Sequence, residues 1–157
     1  MSKTTRATQF LAKAGIAFTV LQYAYESGVE RIGLHAAEAI GEPPTRVLKT
    51  LMVLVDGKPA CCVVPSDGEL SMKRVAQAFG GKAAAMMPPA EAEKTTGYHV
   101  GGISPFGSRK KVPTALEAAA ISEPYVIVNG GQRGVMLRLA PDDAVRVLDA
   151  VTASLLA

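Results

Sequence analysis

The sequence predicts an α+β domain built on a mixed β-sheet. Three observations carry that expectation. Apolar runs of strand length are interspersed with amphipathic runs of helix length, without the regular alternation of a doubly wound fold. Asp56-Gly57-Lys58-Pro59 separates two apolar runs, residues 51–55 and 60–64, which is a hairpin signal. The chain has 157 residues, 48% hydrophobic and 20% charged, which suits one sizeable core. With no repeat and no linker, residues 1–157 read as a single domain.

The elements follow in order. Residues 4–14 form a helix pattern, with Ala7, Phe10, Leu11 and Ala14 on one face and Gly15 as the stop. Residues 16–23 read as a strand, and residues 36–40 as a short helix ended by Gly41. The hairpin comes next. Ser71 then caps a helix that carries Met72, Val75, Ala76 and Phe79, with Gly80-Gly81 as its end. Residues 83–87 suit a short strand and residues 89–96 a helix. Residues 112–116 and 125–128 read as strands. Gly130-Gly131-Gln132-Arg133-Gly134 makes a turn before the alternating Val135, Leu137 and Leu139. Pro141 opens a last helix, with Asp142 and Asp143 in its first turn, and the apolar spacing extends it through Val145, Leu148, Thr152 and Leu155.

Composition narrows the function classes. A net charge of +3 permits an anionic partner without demanding one. Cys61 and Cys62 are the only cysteines, and neighbours on a strand point to opposite faces, which argues against a shared metal or a mutual disulfide. With His35 and His99 as the only histidines, no zinc ligand set is visible. The first ten residues are polar and lack the apolar core of a signal peptide, and no apolar run has membrane-spanning length. The expectation is a cytoplasmic protein with reduced cysteines and no zinc site.

Gly97-Tyr98-His99-Val100-Gly101-Gly102-Ile103-Ser104-Pro105-Phe106-Gly107 is the densest feature. Glycines allow positive φ and close backbone approach, and Pro105 restricts Ser104. Exposed amides in such a loop can hold an anion or polarise a carbonyl, although a tight turn alone would use the same residues. Neither a P-loop nor a dinucleotide fingerprint fits. Arg109, Lys110 and Lys111 follow directly and read either as a solvated face or as phosphate contacts, with Lys73, Arg74, Arg133 and Arg138 as cations that could join them.

Taken in order, Arg46-Val47-Leu48-Lys49-Thr50-Leu51, the glycine loop and Gly130-Gly131-Gln132-Arg133-Gly134 resemble the YbaK family of aminoacyl-tRNA deacylases. That family is related to the editing domain of bacterial prolyl-tRNA synthetases. The resemblance covers nearly the whole chain. It implies a partly barrel-like mixed sheet and a free-standing editing enzyme without cofactor. The substrate would be Cys-tRNA(Pro), with Ala-tRNA(Pro) as the near alternative, and prolyl-tRNA synthetase a possible partner. A non-catalytic module that binds tRNA or synthetase is the other class of reading. By the same resemblance Lys49 contacts the terminal adenosine, supported by Thr50. Tyr23 stands at the pocket edge, and Gly101, Gly102, Ile103 and Ser104 grip the aminoacyl group. Asp143 matches a late acidic position, though its place in a first helical turn has a plain capping explanation. Asn129 stands where relatives often carry serine, and Ile32 where some carry phenylalanine. Both departures bear on amino-acid preference.

The side chains offer little chemistry of their own. No Ser-His-Asp set has recognisable spacing, and both cysteines sit in an apolar strand. His99 could serve as a base or be an exposed loop histidine. The resemblance implies a mechanism in which the cysteine of the substrate attacks its own ester, with the protein orienting it and stabilising the oxyanion.

Overall fold

The computed structural model describes residues 4–25 and 32–157. Among the described residues, five α-helices and eight strands occur in the order α1 (Arg6–Lys13), β1 (Thr19–Gln22), α2 (Ile32–Ile40), β2 (Val47–Val55), β3 (Lys58–Pro65), α3 (Met72–Ala78), β4 (Ala84–Met86), α4 (Pro89–Thr96), β5 (Thr114–Glu117), β6 (Val126–Gln132), β7 (Val135–Leu139), α5 (Pro141–Leu148) and β8 (Val151–Ala153). A 3-10 helix, Ala118–Ser122, follows β5. The mixed sheet runs β1-β7-β6-β2-β3-β5-β8, with β4 also on β2, and this path is open.

Local chemistry explains the element ends. Thr5 and Thr8 form a reciprocal capping box at the start of α1. Asp56 (φ 50°) and Gly57 (φ 81°) supply the two left-handed residues of a tight hairpin turn, so Val55 pairs with Lys58 and the register of β2 on β3 is set from there. Side chains alternate down β2 and β3. Leu48, Met52, Cys61 and Val63 enter the main core with α1, Phe106 and α5. Val53, Val55, Cys62 and Val64 enter a second cluster with Val75 of α3. Cys61 and Cys62 therefore do face opposite sides. A third cluster, Ala37, Val47, Ile127 and Met136, lies beneath α2.

Three expectations change. The strand placed at residues 51–55 begins earlier, at Val47, so Lys49 lies inside β2, opposite Val64, rather than before it. The glycine run 130–134 is not one loose turn. β6 continues through it to Gln132 with a bulge after Asn129, and the reversal is made at Arg133 and Gly134. The last helix does not reach Leu155. It stops at Leu148, where Asp149 turns left-handed (φ 52°). Val151 and Thr152, β-branched, then pair as β8 alongside β5. Leu155 is fully buried, and the Glu117 carboxylate accepts from the Leu155 amide at 2.8 Å and the Leu156 amide at 3.2 Å. Helical spacing alone could not distinguish that tail from a longer helix.

Candidate active site

The sheet forks at β2. On one edge β6 pairs in parallel with Val47 and Leu48, while β4 pairs antiparallel with Val53 to Val55. Between them, Lys49 to Met52 have no strand on that edge among the described residues. Ile127 N–H donates to the Arg46 carbonyl (2.9 Å) and Met87 N–H to the Met52 carbonyl (3.1 Å). Backbone groups of alternate strand residues point to the same side, so those of Thr50 point into the fork. The Thr50 hydroxyl is buried and has no hydrogen-bond partner among the described residues. Thr50 thus presents its backbone N–H and C=O to the opening.

The fork is the floor of a cavity of about 280 Å³. Lys49, Thr50, Leu51 and Met52 line it from β2, Asn129 from β6, Met136 from β7, Tyr23 from the end of β1, and Gly101 and Ile103 from the glycine loop. Met86 and Met87 close the side next to α4. Methionine fills irregular apolar space, and four of these residues give the wall a soft, adaptable surface. Burial pushes the Tyr23 hydroxyl above its ordinary range, and the neighbouring Tyr25 adds to the effect against a smaller opposing contribution from the Gly134 backbone.

The glycine loop is held from several directions. Gly97 ends α4 with left-handed backbone, and the buried Tyr98 hydroxyl donates to the Phe106 carbonyl. Asn129 donates from Nδ2 to the Gly101 carbonyl (3.2 Å) and accepts from the Gly131 amide (2.7 Å). It thereby joins the loop to the β6–β7 hairpin. Val100 is fixed at both ends: its amide donates to Glu93 (2.8 Å) and its carbonyl accepts from Arg133 Nε (2.9 Å). Gly102 runs against the hairpin so closely that a Cβ would lie 2.8 Å from the Arg133 backbone nitrogen. The amides of Gly101 and Ile103 have no acceptor among the described residues. Both residues line the cavity, so these donors suit a developing oxyanion.

The other expected residues fall elsewhere. Ser104 is buried and its hydroxyl accepts from the Phe106 amide (3.1 Å), so it shapes the loop from behind and lines a separate cavity of about 340 Å³. Lys111 lines that second cavity too. Arg109 and Lys110 are exposed, and their amides bond to the Thr96 and Thr95 carbonyls at the end of α4. Asp143 lies on α5, paired with Arg146 at 2.8 Å, away from the fork. Ile32 opens α2, and its side chain lies outside the described residues. His99 is exposed and 3.6 Å from Glu93. Burial pushes the Cys62 thiol up to about 12 and the Cys61 thiol higher still. Among the described residues no three His, Cys, Asp or Glu side chains gather as a metal site, and no helix is long and apolar enough to cross a membrane.

Sequence reasoning missed Met52, Met86, Met87 and Met136 as pocket residues. Their chemistry is that of ordinary core residues, and only the fork places them together.

The profile of the aminoacyl-tRNA editing domain matches residues 31–147. The chain belongs to the aminoacyl-tRNA editing domain family. The proposed Cys-tRNA(Pro)/Cys-tRNA(Cys) deacylase EbsC of Enterococcus faecalis is 41% identical over 108 residues, which are 68% of this chain and 65% of EbsC. A proline–tRNA ligase of Acidithiobacillus ferrooxidans is 29% identical over 85 residues, 54% of this chain and 15% of the ligase. The matched region is thus less than two thirds of the length of these curated relatives. A solved structure described as a proposed trans-editing enzyme for prolyl tRNA synthetase superposes with a TM-score of 0.85 at 22% identity, covering 99% of both chains. That likeness establishes the editing-domain fold for this chain.

Proposed function

We propose that this editing domain is an aminoacyl-tRNA deacylase that removes cysteine mischarged onto tRNA(Pro), acting in the cytoplasm beside prolyl-tRNA synthetase. One observation carries the reading. The fork in the sheet places the Thr50 polar groups, Lys49 and two unpaired loop amides around one small, largely apolar chamber. Family membership and the likeness to EbsC support the same reaction class.

The chemistry asks the protein to position rather than to attack. Neither enzyme thiol is poised to ionise, because both are buried. The substrate thiol, with a reference pKa of about 8.5, is available. Its sulfur attacks the adjacent ester carbonyl. The C–S bond forms, the ester C–O bond breaks, and the thiol proton ends on the ribose oxygen. A thiolactone and free tRNA result. Holding sulfur and carbonyl in attack geometry is worth roughly 7–11 kcal/mol. In this reading the amides of Gly101 and Ile103, two residues that line the chamber, receive the negative oxygen.

The deciding experiment is deacylation of Cys-tRNA(Pro), Ala-tRNA(Pro) and Ser-tRNA(Pro) with mass analysis of the released amino acid. Fast cysteine release as a thiolactone is expected. Fast alanine release with slow cysteine release would place the chain with alanine-specific deacylases. No release from any substrate would leave a tRNA-binding module.

A further inference from the structure

The chamber described above accepts an aminoacyl group, but its lip carries a cation that no part of that chemistry uses. Arg133 sits in the two-residue reversal between β6 and β7, exposed to solvent. Its Nε donates to the Val100 carbonyl at 2.9 Å, and its guanidinium lies 5.2 Å from the centre of the Tyr25 ring. A Cβ added to Gly101 would come within 3.2 Å of Arg133 Nε and 2.9 Å of the Tyr25 hydroxyl. Val100 and Gly101 both line the chamber, so Arg133 stands directly at its mouth. No carboxylate pairs with it among the described residues. One edge of the fork-shaped guanidinium is thus tied down, its face is packed on an aromatic ring, and the terminal nitrogens remain as donors. A cation held this way has lost part of its conformational freedom before any ligand arrives.

Among the described residues the other candidate cations stand elsewhere. Lys49 lies on the floor, within β2, while Arg109 and Lys110 are tied by their amides to the end of α4 and do not line the chamber. If the ester sits on the floor, the 5′-phosphate of the same nucleotide is one ribose farther out. It meets the lip. Exposed apolar side chains, Val100 and Met86, border the same mouth and can take the flat face of a base.

We propose that Arg133, braced by Tyr25 and the Val100 carbonyl, binds the phosphate on the 5′ side of the aminoacylated nucleotide. The assignment rests on the deacylase reading. It makes Arg133 a binding residue and leaves the bond-breaking step to the chamber.

The test uses two small esters, 3′-cysteinyl-adenosine and its 5′-monophosphate, with the wild-type chain and R133Q. The phosphate should raise kcat/KM of the wild type at least tenfold, mainly through KM, and that of R133Q less than twofold. On full-length aminoacyl-tRNA, R133Q should flatten the salt dependence of binding by about 0.7 in log–log slope, the share of one single-strand phosphate, and R133K should restore most of it. Equal gains from the phosphate in both proteins would overturn the assignment, reducing Arg133 to a brace for Val100. Calorimetry with adenosine 5′-monophosphate reads the same contact without turnover, with at least tenfold weaker binding expected for R133Q. An inactive wild type would therefore sink the deacylase reading, while the binding measurement would still decide Arg133.

Discussion

At the scale of single residues, the proposed function divides labour between Lys49, which brings charge, and backbone groups, which bring shape. K49A removes the cation but leaves the three β2 ladders intact, since those use main-chain atoms. It should lower kcat/KM on Cys-tRNA(Pro) by roughly 10- to 100-fold, the span of a lost charge-assisted contact, with little change in melting temperature. Steady-state kinetics beside a thermal melt checks both halves. The thiols make a second case. Burial holds Cys62 near 12 and Cys61 higher, so neither changes charge between pH 6 and 9. A rise in rate centred near about 8.5 is expected with Cys-tRNA(Pro), because in the proposed mechanism the substrate thiolate is the reacting form and its population grows with pH. The limb should vanish with an alanyl substrate and persist in C62A. A limb that disappears in C62A would make the enzyme thiol the nucleophile.

At the scale of elements, the sequence was informative where local rules suffice. Asp56-Gly57 demanded a tight turn and Ser71 a helix cap, and both stand. The glycine loop was legible because glycines at Gly101 and Gly102 have few other uses, and the structure shows what they permit: contact with Tyr25, Arg133 and the hairpin backbone. The tail was misread because Val145, Leu148, Thr152 and Leu155 keep helical spacing while the chain changes direction at Asp149. Only the buried Glu117 carboxylate, which pins the Leu155 and Leu156 amides, reveals the reason, and it lies far away in sequence. L155A should cost roughly 2–5 kcal/mol of unfolding free energy in denaturant titration. A loss below about 1 kcal/mol would mean that the tail packs less tightly than its full burial implies. Among the site residues, Tyr23, Lys49, Thr50, Gly101, Ile103 and Asn129 come together at one cavity. Arg109, Lys110, Lys111, Ser104 and Asp143 stand outside it, a separation that depends on which face of the loop or helix each residue takes.

At the scale of the whole molecule, charge is spread over more than one face, so pocket chemistry and long-range tRNA attraction are separable. Arg109 and Lys110 are exposed, and their amides bond to the carbonyls at the end of α4, where cations also favour the helix C-terminus. Neutralising Arg109, Lys110 and Lys111 together should weaken tRNA binding and lower its salt slope, with turnover of a small cysteinyl ester within about twofold of wild type. Filter binding at several salt concentrations reads the slope, and an unchanged value would make the triplet a solvated face. The fork itself has a consequence for how the protein is made. Its arms, β4 and β6, attach to β2 from residues 84–86 and 126–132, after the β2–β3 hairpin has closed locally. Contacts over such separations form late, because the intervening chain must first give up its freedom. A growing chain therefore exposes the edge of β2 at Val47-Leu48 and at Val53 to Val55 until β4 and β6 have left the ribosome. Reactivity toward substrate marks the end of folding, and the interval before it is when that edge is most open to pairing with a second chain.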